Sequence, residues 1–156
     1  KQRYIRALTL FRMGGGTNCP PYKIGLSETL PLFFFKATSN KRAFFVGGIK
    51  CDGKSINEIL AELENLVIMI QSQGIIPVFS LVITRNDKHK QKVEILNKMI
   101  VEMCNKYGVG YIDNSNINSS NLNAGGIHIA REHTYLLERN FTSFFNYLLE
   151  NEFCLQ

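Results

Sequence analysis

Four side chains that could take part in acid–base or electrostatic chemistry lie in or beside predicted loops of this chain. His128 stands between two isoleucines, and an imidazole is well suited to move a proton near neutral pH. Asp113 follows one predicted strand, and Arg85 and Asp87 follow another. The residues alone favour a hydrogen-bonded loop histidine and a turn-capping role for Asp113. They leave open whether Asp113 orients His128, and whether Arg85 and Asp87 contact a ligand or form an ion pair and helix cap.

The elements that must position these residues alternate regularly after residue 43. Ser55 and Glu58 form a capping box, and apolar residues recur behind them at helical spacing as far as Gly74. The pattern predicts strands at Ala43–Gly47, Ile75–Thr84 and Val109–Asp113. It predicts helices from Ser55 to Gly74, from Asp87 or a neighbour to Gly108, and from near Arg131 onward.

This alternation indicates an α/β domain with parallel strands and right-handed crossovers. We expect residues 43–150 to form it, after an irregular basic leader at 1–42 and before a tail at 151–156. Leu30–Phe35 is too close to Ala43 for a parallel crossover of about a dozen residues, so any pairing between them should be antiparallel. The loops that follow the parallel strands should share one rim, where ligands bind in such sheets.

Composition bounds the class of protein. The apolar fraction of 45% and the charged fraction of 20% are typical of a soluble globular domain. No apolar run approaches the about 20 residues that a membrane-spanning helix needs. We therefore expect an intracellular, cytoplasmic protein with no membrane partner. The four cysteines (Cys19, Cys51, Cys104 and Cys154) have no paired spacing, so we expect no metal and no cofactor.

The positive charge is concentrated at the N-terminal end. Residues 1–54 hold ten Lys and Arg against two acids, a net charge of +8, whereas residues 55–156 carry −3. Such a segment could contact nucleic acid, although a solvated leader explains the charge as well.

Several segments carry a resemblance to a known family. The run Leu122–Ile129 is followed by a predicted amphipathic helix, and Ser80–Asp87 and Tyr111–Asn114 contain two predicted strand ends. Together they resemble the later blocks of the SGNH (GDSL-type) hydrolase superfamily, over about Phe44 to Leu149. The sequence of these segments is most similar to the SGNH-like domains of non-LTR retrotransposons and their relatives. In addition, Leu8–Gly16 looks like translated interspersed-repeat DNA. The resemblance implies a three-layer, flavodoxin-like parallel sheet, incomplete here on its N-terminal side.

The resemblance also implies a catalytic machinery. In the family, a serine in a Gly-Asp-Ser motif attacks an ester carbonyl, a histidine takes its proton, and an aspartate three residues earlier orients the imidazole. Backbone N–H groups and an asparagine stabilise the oxyanion.

Only part of that machinery is recognisable in this chain. His128 fills the histidine position, but the orienting acid falls on Gly125. The family motif Gly-x-Asn-Asp maps onto residues 47–50, where Ile49 and Lys50 replace the asparagine and the aspartate. The nucleophile candidate is Ser27 in the run Gly-Leu-Ser, and Asp113 is a candidate substitute acid.

Three functions follow as hypotheses. The favoured one is a degenerate esterase-like domain, of mobile-element origin, with little or no ester hydrolysis. The second is an active esterase that uses Ser27 and His128 on a small ester ligand. The third is a nucleic-acid-binding or interaction module that uses residues 1–54. It stays open whether the chain is a pseudogene translation without a selected role. The oligomeric state also stays open.

Overall fold

The computed structural model describes residues 32–36, 42–46, 49 and 51–152, and the side chains of residues 49 and 51–148 among them. Several residues and segments that the sequence singles out lie outside the described residues, namely Ser27, Lys50, Cys19, Cys154, the segment Leu8–Gly16, and residues 1–31 of the basic leader. No helix in the described part of the chain is long and apolar enough to cross a membrane.

The four strands of the described residues form one sheet in chain order. They are β1 (Leu32–Lys36), β2 (Arg42–Val46), β3 (Ile76–Ser80) and β4 (Gly110–Ile112). β2, β3 and β4 are parallel. β1 pairs antiparallel with β2, with Leu32 opposite Val46. The antiparallel pairing predicted from the short connection is therefore confirmed.

The α-helices fall close to their predicted positions. They are α1 (Ile56–Ser72), α2 (Lys90–Tyr107) and α3 (Thr134–Glu152). The capping box is present: Glu58 N donates to Ser55 Oγ (3.1 Å), and Ser55 N donates to a Glu58 carboxylate oxygen (2.8 Å). Gly108 ends α2 in the left-handed conformation (φ 65°), which glycine adopts without strain. Two short 3₁₀ turns, Ser119–Asn121 and Arg131–His133, precede α3.

Two boundaries differ from their predicted positions, each for a local reason. β3 ends at Ser80 rather than Thr84, because the Asn97 side chain bonds both Val82 N (2.9 Å) and Val82 O (2.8 Å). α2 begins at Lys90 rather than near Asp87, because the Asp87 carboxylate accepts from His89 N (3.1 Å) and closes a separate turn.

Neighbouring residues of β3 pack against different helices. Phe79, fully buried, belongs to a core cluster with residues of α1 and α2, among them Leu63 and Leu96. Val78 packs instead with Phe141 of α3. Each fully buried side chain of this size contributes about 1.5–3 kcal/mol. The sheet is thereby fixed on both faces, and the carboxyl ends of its parallel strands are held in place.

Candidate functional site

The candidate site is the rim at the carboxyl ends of β2, β3 and β4. In a parallel sheet these strand ends open on the same edge, where crossover loops leave room for a ligand. Three loops reach this rim: residues 49 and 51–55 after β2, residues 81–89 after β3, and residues 113–130 after β4.

His128 lies in a closed turn of the third loop. Its backbone oxygen accepts from Asn123 N (2.7 Å), and Gly126 N donates to Asn123 O (2.9 Å). A bridge between Leu122 and Ile129 closes the base of the turn. The imidazole is exposed, and among the described residues it has no hydrogen-bond partner. The turn thus fixes the backbone of His128 while its ring stays unsupported.

The described residues place no carboxylate in contact with this imidazole. Gly125, where the resemblance places the orienting acid, has no side chain, and a Cβ there would meet only Asn123 Oδ1 at 3.5 Å. Asp113 is exposed and accepts from Ser115 N (2.8 Å) in a short turn, which agrees with the capping role. An orienting role of Asp113 toward His128 stays a prediction, as does the role of Ser27 outside the described residues.

The position at which the resemblance places the oxyanion asparagine is apolar here. Ile49 follows β2 and is 7% exposed, so its side chain has no group that could donate to an oxyanion. Next to it, burial raises the pKa of the Cys51 thiol, which makes that sulfur a poor nucleophile at neutral pH.

The loop that carries His128 is docked on the loop after β3. Asn86 N donates to Gly126 O (2.7 Å), and Ser119 Oγ donates to Asn86 Oδ1 (2.7 Å). The two backbones are so close that a Cβ on Gly126 would lie 2.9 Å from Asn86 Cβ. Gly126 also has a φ of 66°. Glycine is therefore required at this position for two separate reasons.

A charged cluster joins the first two loops. Arg85 Nε donates to Asp87 Oδ1 (3.0 Å), Arg85 Nη2 bonds the other oxygen of the same carboxylate, and Arg85 Nη1 lies 3.4 Å from Asp52. His89 Nε2 lies 3.2 Å from the same oxygen of Asp52. The bond from Arg85 lowers the pKa of Asp87, and in return Asp87 raises the pKa of Arg85. The local ion pair that the sequence suggested is confirmed.

The sequence did not reveal two polar anchors of the rim. Lys92 of α2 donates to the backbone oxygens of Cys51 and Lys54. Asn114 is 3% exposed and donates to Ser80 Oγ (2.9 Å) and Leu81 O (2.7 Å). The local sequence pattern does not predict these contacts, because the two partners of each contact are far apart in the chain. The one available signal for Asn114 was an amide directly after a buried strand.

Asn114 continues into a second amide pair. Asn140 Nδ2 donates to Asn114 Oδ1 (3.0 Å) and to Asn116 Oδ1 (2.8 Å), and Asn116 Nδ2 donates to Asn140 Oδ1 (3.0 Å). These bonds attach the loop after β4 to α3, so side-chain amides hold this part of the rim in place.

No family model matches the chain, and no curated protein matches it. Solved structures do. A GDSL-like lipase from Bacteroides thetaiotaomicron superposes with a TM-score of 0.54 at 11% identity, over 64% of this chain and 56% of that chain. An acylhydrolase from Bacteroides fragilis superposes with a TM-score of 0.53 at 13% identity, over 64% of this chain and 55% of that chain.

These likenesses identify the fold as α/β and SGNH-like, in agreement with the resemblance seen in the sequence. The chain spans a little over half the length of each of these structures. At such low identity the comparison concerns the path of the backbone only, and function has to be argued from the residues at the rim.

Proposed function

We propose that this chain is a degenerate SGNH esterase-like domain with little or no ester hydrolysis. The observation that carries the proposal is the environment of His128. Its imidazole is exposed, it has no carboxylate beside it among the described residues, and Gly125 occupies the position of the orienting acid. An imidazole that is neither oriented nor electrostatically supported is a weak general base.

The size of the loss supports this proposal. Removing the nucleophile of a triad costs about 10⁶ in turnover, and removing the orienting acid costs about 10⁴. A missing oxyanion donor, as at Ile49, costs about 10² to 10³. These losses are not additive, but loss of the nucleophile alone removes useful ester hydrolysis.

The proposal includes the architecture and the origin of the domain. We place the chain in a three-layer, flavodoxin-like arrangement whose N-terminal strands are not recognisable here. The resemblance of Leu8–Gly16 to an interspersed repeat supports an origin in a mobile element. Sequencing the genomic DNA on both sides tests this origin. Flanking mobile-element sequence would support it, and an ordinary gene encoding an in-frame Gly-Asp-Ser block would contradict it.

Hydrolysis of p-nitrophenyl acetate tests the proposed function. We expect the unmutated chain to show no turnover beyond that of an exposed imidazole, and Ser27→Ala to leave the rate unchanged. His133→Ala is the matched control for loss of an imidazole. Turnover far above this level that disappears in both Ser27→Ala and His128→Ala, while His133→Ala retains it, would establish an active esterase instead.

A further inference from the structure

The start of α3 carries an exposed aromatic ring beside a cation. The Tyr135 side chain is 51% exposed. The Arg139 guanidinium lies 5.8 Å from the centre of the Tyr135 ring, within the range of a cation–π contact. Because these residues are four apart on one helix, the helix itself holds the pair together.

Arg139, which lies over this ring, and Arg131, four residues before Tyr135 in the sequence, keep their charges available. Within the described part of the chain, neither Arg131 nor Arg139 forms an ion pair. Arg131 precedes Tyr135 by four residues and Arg139 follows it by four. Arg131 lies in the 3₁₀ turn that leads into α3, and Arg139 lies about one helical turn after Tyr135, so the two cations flank the ring along the chain.

A hydrogen-bonded imidazole lies near the Tyr135 ring. The His133 and Tyr135 rings are 6.4 Å apart and tilted by 37°. Asn121 Oδ1 accepts from Asn118 N (3.0 Å), so the amide nitrogen of Asn121 faces His133 Nδ1 at 3.2 Å. That ring nitrogen must therefore accept, which places the imidazole proton on Nε2. His133 thus offers a donor beside the exposed ring.

We propose that this surface, formed by Arg131, His133, Tyr135 and Arg139, binds single-stranded nucleic acid. A base stacks on Tyr135, the phosphates on either side of it contact the two arginines, and His133 Nε2 donates to the base or to the backbone. Aromatic rings alternating with unpaired cations are how proteins bind single strands without reading sequence. A duplex keeps its bases stacked on one another and cannot use the ring. This inference does not depend on whether the rim hydrolyses esters.

Fluorescence anisotropy of the full chain with a short labelled oligouridine tests the proposal. We expect Tyr135→Ala to weaken binding about tenfold, because one stacked base contributes about 1–3 kcal/mol. Tyr135→Phe should bind like the parent, since the ring is kept. Tyr147→Ala is the matched control, because Tyr147 is also exposed and lies on the same helix, and it should leave the affinity unchanged.

Salt dependence separates the two arginines from the basic residues 1–54. Arg131→Gln and Arg139→Gln should each reduce the slope of log affinity against log salt by about 0.7. Glu138→Gln should strengthen binding by removing a negative charge beside the ring. The proposal is overturned if the parent does not bind, if Tyr135→Ala binds as tightly as the parent, or if a duplex of equal length competes equally.

Discussion

Gly126→Ala is the substitution that best tests how the His128 loop is held. Two separate costs are expected at this position. A φ of 66° costs an alanine about 1–2 kcal/mol. The new Cβ would also lie 2.9 Å from Asn86 Cβ, well inside the about 3.5–4.0 Å of a good carbon–carbon contact. Relieving such an overlap costs about 1–3 kcal/mol in a packed site, so we expect a total of about 2–5 kcal/mol.

Two other glycines allow the backbone cost and the overlap cost of Gly126→Ala to be measured separately. Gly74 has nearly the same φ (67°), but a Cβ there would meet nothing within 4 Å, so Gly74→Ala measures the backbone cost alone. Gly125→Ala has neither a positive φ nor a close contact, and it should change the free energy of unfolding by less than about 0.5 kcal/mol. The overlap at Gly126 is therefore the difference between Gly126→Ala and Gly74→Ala.

Urea denaturation followed by circular dichroism gives these free energies directly. Asn86→Gly removes the atom that would be overlapped, so in the double variant the excess cost of Gly126→Ala should shrink by at least about 1 kcal/mol. Hydrogen exchange at the amides of Asn86 and Asn123 should accelerate in Gly126→Ala, because both donate into the affected turn. Equal costs for Gly126→Ala and Gly74→Ala would refute the close docking of the two loops.

Three further predictions concern the rim. Asn114→Ala should lower the free energy of unfolding by about 2–4 kcal/mol in the same denaturation assay, because it leaves several buried polar groups unpaired. As the control, Asn116→Ala at an exposed position should lower it by less than about 1 kcal/mol. Since Arg85 lowers the pKa of Asp87, this pair stabilises the fold above about pH 4, the ordinary aspartate range, and that stability is lost as the pH falls through the lowered value. Arg85→Gln should flatten this acid limb of the pH–stability profile, and an unchanged limb would contradict the assigned pair. Gly125→Asp should fold normally yet leave p-nitrophenyl acetate turnover at background, because an orienting acid cannot act without a nucleophile, and a large gain would contradict that reasoning.

The elements of this fold could be predicted because their signals are local. Ser55 and Glu58 announce the start of α1 within four residues, and the left-handed turn at Gly108 follows from its position at the end of an amphipathic run. The end of β3 could not be predicted in the same way. Thr84 and its neighbours have strand-forming side chains, but Asn97 takes the backbone bonds of Val82 from a distant helix.

The candidate site shows the same division between local and distant contacts. The ion pair of Arg85 and Asp87 spans two residues and was foreseeable, as was the turn at Asp113. The contact of Lys92 with the loop after β2 could not be foreseen. A lysine among other basic residues gives no sign that its ammonium group will donate to two carbonyl oxygens on another loop. Such contacts depend on the packing of α2 against the sheet, which the sequence leaves implicit.

The contacts that hold His128 at the rim are independent of the contacts that would make it catalytic. Its backbone is fixed by the bond to Asn123 and by the docking of Gly126 on Asn86, and none of these involves the imidazole. Catalysis would instead require partners for the ring, and the described residues supply none. Under the function that we propose, the orienting acid can be lost at Gly125 without disturbing the loop, because a glycine there leaves every backbone bond in place. The backbone position of the imidazole therefore does not depend on catalytic partners for its ring, so a histidine at this rim is evidence of fold rather than of activity.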